Sequence, residues 1–408
     1  MARTRLPLIA LLSANAVSFV GNVLTSIAVP WFVLQTTGSA AQTGVTAFVT
    51  ALPTVLASFF GGVLVDRLGF RRMSIAAGVT SAVAVAAIPL LYHTVGLAFW
   101  QLLLLVFLRG LCNAPGSTAR EALVPDVAER AGVRLERATT VFEAIQRGSI
   151  LIGAPLAGVL VTLLGTSNVL WCDAASFAVS AALVALLVPA PAPRPAEDAA
   201  RSYLAHMVEG LRYIGGDRLI RTIVGTVLVT NLLDAALGSV VIPVYVKRVF
   251  NSAIALGAID GAFAGAVVGT ILFLARGHTL PKRMTLVIAF TLLATRAWVL
   301  APYPSLRIIL GAMVALGLAA APINPLLMTA TYQRVPTELR ARVLGVITAG
   351  VFAGIPIGGL LGGYLITAIG LQPTLLLVGA CYVLTTLSLL VNPASREMDK
   401  LAEVRQSS

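Results

Sequence analysis

A few ionisable side chains stand inside otherwise apolar stretches of this 408-residue chain. Asp234 has Asn231 one turn before it, Glu143 has Arg147 four residues later, and Arg109 and Arg296 lie within apolar runs of their own. A carboxylate so placed can take up and release a proton, because burial disfavours its charged form and wetting restores it. Asp234 is read either as such a proton carrier or as a structural polar group. Glu143 and Arg147 have the spacing of a helical ion pair, and Glu143 could instead meet cationic ligands. A buried arginine costs several kcal/mol unless it is paired or hydrated, so Arg109 is a functional candidate with Asp234 or a backbone carbonyl as partner. Asp173 and Asp260 fall near the ends of their runs, where headgroup or backbone contact is the ordinary explanation. Arg296 is expected to snorkel outward. His93, His206 and His278 sit at run ends, too scattered to hold a metal, and Cys112, Cys172 and Cys381 suit neither a disulfide framework nor a zinc site.

The elements that position these groups are long and apolar. The chain is 58% hydrophobic and 11% charged, with mean hydropathy +0.92, far from a soluble domain. Twelve runs can be counted, at about 6–34, 43–65, 73–95, 97–118, 139–163, 168–188, 220–246, 253–275, 284–302, 306–330, 343–368 and 372–392, each long enough for a roughly 30 Å hydrocarbon layer at about 1.5 Å per residue. The net charge of +12 would suit nucleic acid, but the basic residues occupy alternate short gaps, as at Arg67, Arg71 and Arg72, instead of forming a surface. That bias predicts an all-α, multi-pass protein of the cytoplasmic membrane with both termini inside. The proline-rich stretch 189–195 and the polar, helix-patterned segment after it divide the chain. The expected organisation is a six-helix bundle at 1–188, a cytoplasmic linker with an amphipathic helix at 189–219, a second bundle at 220–392 and a tail at 393–408.

The two halves echo each other. Gly153-Ala-Pro155-Leu-Ala-Gly158 is matched by Gly354-Ile-Pro356-Ile-Gly358-Gly359, and Pro30-Trp31 with its apolar flanks by Pro243-Val-Tyr245. Small residues let helices approach closely and proline kinks them, so these motifs read as packing, with a gate-sealing role as the sharper alternative. Parallel repeats of this kind place a substrate path at the interface of the halves. Asn22, Trp31, Gln35, Phe142, Gln146, Asn231, Tyr245, Asn324 and Tyr332 are candidates to line an apolar cavity with a few polar groups.

Gly62-Val-Leu-Val-Asp66-Arg67-Leu-Gly69-Phe-Arg71-Arg72 resembles the loop motif between the second and third helices of the major facilitator superfamily, and 153–158 resembles its antiporter motif. Pro30-Trp31-Phe-Val-Leu-Gln35 with Gly38-Ser39-Ala40, then Thr118-Ala-Arg120-Glu121, Pro125 and Leu135-Glu136-Arg137, look like Tap-type multidrug exporters of actinobacteria, similar to the macrolide-efflux and enterobactin-exporter branch. The resemblance implies the twelve-helix major facilitator fold, export of drugs or metabolites driven by the proton gradient without a cofactor, and a coupling role for the arginine at Arg109. Two departures stand out. Such relatives tend to carry Asp after the glycine of the first helix, where this chain has Gly21-Asn22, and the loop 276–283 lacks the aspartate of its counterpart. Asp66 is read as an ordering ion-pair acceptor or as half of a cytoplasmic latch with Arg67, Arg71 or Arg72, facing the helix start near Val343.

No phosphate-binding Gly-Lys-Ser loop, metal cluster or nucleophile-base constellation appears, which disfavours an enzyme or a primary pump. The expected function is alternating-access drug:proton antiport by a monomer, with small molecules, protons and lipid as partners. Siderophore or secondary-metabolite export and a non-transporting membrane sensor are the alternatives.

Overall fold

A computed structural model describes residues 4–190, 199–264, 273, 282–336 and 339–392, and every described element is helical. In order these are α1 Leu6–Thr37, α2 Ala40–Leu68, α3 Phe70–Thr94, α4 Phe99–Ala122, α5 Val124–Ala131, α6 Leu135–Leu164, α7 Thr166–Leu187, α8 Ala199–Gly216, α9 Arg218–Ala236, α10 Ile242–Val249, α11 Ala253–Phe263, α12 Lys282–Leu300, α13 Leu306–Ala320, α14 Ile323–Arg334, α15 Arg340–Ile369 and α16 Leu371–Val391. A π-helical turn, Leu237–Val241, joins α9 to α10 in one 32-residue span. It lies beside Pro243, whose missing N–H cannot bond the carbonyl of Ser239 four residues back, so the break in α-helical bonding has a local cause. Among the described residues eleven helices are long and apolar enough to cross a membrane, and α11 is a shorter apolar helix.

The ends of these helices follow from glycine and proline. A single residue, Gly165, separates α6 from α7 with φ +82 and ψ 154, and Gly370 separates α15 from α16 with φ +87 and ψ 169. Residues with a Cβ rarely adopt that conformation, so these one-residue corners need glycine. Gly69 turns α2 into α3 in the same way, so Asp66 and Arg67, expected in a loop, lie in the last turn of α2. Past α4, a short helix α5 opens on Val124-Pro125 and closes on Gly132 at φ +64. The apolar count did not foresee it, since proline at the first turn starts a helix as readily as it ends one.

The chain divides into two compact units, Met1–Ala199 with Val246–Gly261, and Ala200–Tyr245 with Ala262–Ser408. In the first, α1 packs along α6 and α7, α3 between α4 and α7, and α2 along α4. Leu8, Leu11, Leu123, Val127, Phe142 and Val184 form its core at one end. In the second, α9 packs on α15, and α12 on α13 and α16. Val246–Gly261 groups with the first unit because a Cβ on Gly257 would lie 2.3 Å from the Ala154 carbonyl oxygen and one on Gly261 would lie 2.6 Å from the Pro155 ring.

The linker helix α8, in turn, is docked on the second unit. Arg342 Nη1 donates to Glu209 Oε2 at 2.5 Å, Tyr213 Oη donates to the Arg334 carbonyl at 3.1 Å, and Ile214 joins Ile220, Val335 and Val343 in an apolar cluster. Asp217 does three things at once. Its Oδ1 caps α9 by accepting from Leu219 and Ile220 N–H at 2.9 and 3.0 Å, its Oδ2 accepts from Arg334 Nε at 2.7 Å, and its charge, with desolvation as the larger cause, holds the Tyr213 phenol above its ordinary range. Asp217→Ala is therefore expected to lower the stability of the purified chain by about 1–2 kcal/mol, the scale of a lost cap, read as a lower thermal midpoint with transport retained.

Candidate functional site

Three helices of the first unit converge on a buried polar cluster. On α1, Gly21, Asn22 and Thr25 share one face; α4 brings Arg109 and Asn113 at i and i+4; α7 brings Asp173, Ser176 and Phe177 at i, i+3 and i+4. Asp173 is completely buried. Arg109 Nη2 donates to Asn22 Oδ1 at 2.6 Å and reaches Asp173 Oδ2 at 3.4 Å. Asn113 Nδ2 also donates to Asn22 Oδ1, at 3.1 Å. Thr25 Oγ1 donates to Asp173 Oδ2, and Ser176 Oγ to Asp173 Oδ1 at 3.2 Å. The guanidinium lies 5.4 Å from the centre of the Phe177 ring, and its Nε has no partner among the described residues.

Gly21 makes the cluster possible. A Cβ there would fall 2.3 Å from Asp173 Oδ1 and 2.0 Å from Ser176 Oγ, so any side chain would expel the carboxylate from its place. The arrangement is a buried ion pair with one partner shared. Asn22 holds the cation more closely than Asp173 does, so the pair can loosen without leaving the guanidinium empty.

A second cluster lies in the second unit. Asp234 on α9 accepts from Tyr382 Oη on α16 at 3.3 Å, and its Oδ1 is buried without a partner among the described residues. Arg296 lies on α12 of the same unit. Arg296 is 5% exposed, its guanidinium 4.0 Å from the centre of the Phe263 ring. Asn231, one turn before Asp234, donates to the Val351 carbonyl at 3.3 Å.

Three sequence expectations change here. Asp173 is not at a helix end but two turns inside α7, because that helix begins at Thr166 and continues to Leu187. Arg109 is partnered by Asp173 and Asn22 instead of Asp234. Arg296 does not snorkel outward; it is buried, with its guanidinium on the Phe263 ring inside the unit. One sequence signal could have raised Asp173. Ser176 and Ser180 follow it at i+3 and i+7, a polar stripe along a helix whose other faces are apolar.

The remaining candidates are spread out. Glu143 and Arg147 pair at 3.9 Å with both side chains more than half exposed. Phe142 is buried in the apolar core edge-on to Phe19. Gln146 is half-buried and Asn324 exposed. Trp31 is buried under the Lys247 ammonium at 5.1 Å, and Tyr245 stacks on Tyr303 at 5.6 Å. Tyr332 is exposed, with Arg340 at 5.8 Å from its ring. Gln35 accepts from Thr166 at 2.5 Å and lines an open cleft of about 430 Å³ with Phe32, Thr36, Tyr92 and Ser167.

The motif 62–72 is only partly described. The side chains of Asp66 and Arg67 and the surroundings of Gly62 lie outside the described residues, so the latch reading falls there. Arg71 ties α3 to the end of α7, donating from Nε to the Val188 carbonyl at 2.6 Å and from Nη2 to Ala185 at 2.5 Å, while Arg72 is exposed. The glycine-proline motifs both form tight helix contacts. A Cβ on Gly153 would meet Val23 at 3.0 Å, one on Gly158 the Ala253 carbonyl at 2.5 Å, one on Gly354 the Leu228 carbonyl at 2.9 Å, and one on Gly358 the Leu232 carbonyl at 2.0 Å. Pro356 is buried between the last two.

Comparison with known proteins gives this geometry its setting. The family described as Major Facilitator Superfamily matches residues 11–277 and 224–406. The chain is 32% identical over 398 residues to "Multidrug efflux pump Tap" of Mycobacterium bovis (strain BCG / Pasteur 1173P2), covering 96% of this chain and 95% of that protein. The protein of the same name from Mycolicibacterium fortuitum is 32% identical over 398 residues, 96% of this chain and 97% of its own. "Staphyloferrin A transporter" of Staphylococcus aureus (strain NCTC 8325 / PS 47) is 26% identical over 153 residues, 37% of this chain and 38% of that one. Among solved structures, the nucleoside transporter NupG superposes with TM-score 0.74 at 14% identity, over 94% of this chain and 98% of that one.

Proposed function

Because the chain belongs to the major facilitator superfamily, we propose that it exports amphiphilic small molecules, antibiotics among them, in exchange for protons. The observation that carries the coupling is the fully buried Asp173 held against Arg109 and Asn22. A carboxylate there can be ionised only while the guanidinium neutralises it, and protonation frees the guanidinium to rest on Asn22 alone. Asp173 then supplies the acidic group that related exporters tend to carry on the first helix, reaching across Gly21 to do so. Asp234 is the second candidate, since one of its oxygens is already without a partner among the described residues.

The exchange follows from charge. A cationic or amphiphilic cargo entering from the cytoplasm favours the ionised carboxylate, whose proton leaves on that side. Discharge of the cargo outside leaves the carboxylate to be reprotonated there, and the neutral state returns inward. Each cycle thus spends the proton gradient on one outward movement.

The test uses cells that express the chain and a fluorescent lipophilic cation. Wild-type efflux is expected to collapse when an uncoupler is added, and efflux that ignores the uncoupler would end the proton-coupled reading. Asp173→Asn is expected to slow uphill efflux at least roughly tenfold, the scale of one lost ionic interaction, with facilitated movement down a gradient retained. Siderophore export is the second reading, favoured by the partial likeness to the staphyloferrin A transporter. Restored growth on limiting iron without any change in drug accumulation would select it.

A further inference from the structure

The first unit contains another buried cation that the coupling scheme leaves unused. Arg120, near the end of α4, is 2% exposed, and its Nη2 donates to Ser18 Oγ at 3.2 Å. Its Nε is buried without a partner, and no carboxylate pairs with it among the described residues. Asn15, one turn before Ser18 on α1, is fully buried, and neither amide atom has a partner among the described residues. Ser74 on α3 is also buried, with its hydroxyl unpartnered among them.

Helix packing brings these groups level. Ala77 of α3 sits against Gly116 of α4, where a Cβ would come within 2.4 Å of the Ala77 Cβ. The two helices run antiparallel, so Ser74, three residues before Ala77, faces the level of Arg120, four residues after Gly116. Arginine stays protonated in proteins, and a buried cation needs a counter-charge. Hydroxyl, amide and guanidinium groups are all donors to a negative ion, and three different helices contribute them. Along α4 the place is eleven residues from Arg109, about 16 Å at 1.5 Å per residue, so it is separate from the Asp173 cluster.

We propose that Asn15, Ser18, Ser74 and Arg120 bind a small inorganic monovalent anion of about chloride size. Ala77 packs on Gly116 beside the guanidinium, so α3 and α4 approach closely on that side and favour a small ligand. The anion neutralises Arg120 and fastens the ends of α1, α3 and α4 together. This inference does not depend on the exporter reading, since it concerns binding and folding alone.

The test is thermal unfolding of the purified full chain in sodium chloride, bromide, gluconate or sulfate at equal ionic strength. Chloride and bromide are expected to raise the midpoint saturably by roughly 3 °C or more over gluconate and sulfate, as ligand linkage requires. Arg120→Gln is expected to melt at the same temperature in all four salts. Should Arg120→Gln not fold, Ser74→Ala keeps the charge and is expected to raise the half-saturating chloride concentration about fivefold, the scale of one lost hydrogen bond. A wild-type midpoint indifferent to the anion overturns the proposal, as does a halide effect unchanged in Ser74→Ala.

Discussion

Cells producing the Arg109→Ala variant are expected to accumulate drug as though they made no exporter, and the purified variant is expected to melt well below the wild type. Removing the guanidinium strands Asp173, fully buried, with Thr25 and Ser176 as its remaining side-chain partners among the described residues. Breaking one half of a buried pair costs about 3–5 kcal/mol, unless the orphaned carboxyl takes a proton and forfeits its exchange. Two companions separate folding from coupling. Asp173→Asn removes the titrating group while leaving Arg109 its hydrogen bond to Asn22, so it should fold and fail to pump. The double variant Arg109→Leu with Asp173→Leu removes both charges and should recover much of the stability without recovering uphill efflux. If uphill efflux survives in Asp173→Asn, the coupling role belongs elsewhere, with Asp234 next in line.

The second large effect is expected from Gly158→Val and Gly358→Val. At both positions the first added atom would lie against a backbone carbonyl, of Ala253 at 2.5 Å and of Leu232 at 2.0 Å. A carbonyl inside a helix cannot swing away as a flexible side chain does, so α6 must part from α11, or α15 from α9. Overpacking on this scale costs about 1–3 kcal/mol or more, and the displaced helix carries its neighbours with it. Loss of transport with normal membrane insertion is the expected readout. Gly225→Ala supplies the control, because nothing lies within 4 Å of a Cβ there and alanine favours a helix interior by about 0.5–1 kcal/mol. Equal loss in Gly225→Ala would mean that glycine content, and not close approach, limits these helices.

The helical membrane architecture was legible because apolar runs long enough to span a bilayer need no tertiary context to be recognised. The close contacts of Gly158 and Gly358 were legible for a similar reason, since spaced small residues serve helix approach. What escaped was the partner of each buried charge. Arg109 and Asp173 are sixty-four residues apart, and nothing in either run states which faces will meet. A bilayer-facing and a core-facing position carry the same apolar neighbours in sequence, so Arg296 reads as an outward snorkeler although its guanidinium rests on the Phe263 ring. Asp173 escapes because an apolar run counted from 168 puts it near an edge, whereas the helix begins at Thr166.

The π turn at Leu237–Val241 bears on how this chain can vary in length. Elsewhere in a continuous α-helix, losing one residue rotates everything downstream by about 100° and shifts it by about 1.5 Å. A π turn already carries a surplus residue, so deletion within it lets the helix revert to regular winding with both flanks still in phase. Asp234 would keep its neighbour Tyr382, and Tyr245 its stack on Tyr303. Along the span from Arg218 to Val249, a single-codon deletion scan should therefore find its tolerant window there, and orthologues one residue shorter in this span should have their gap in the same place.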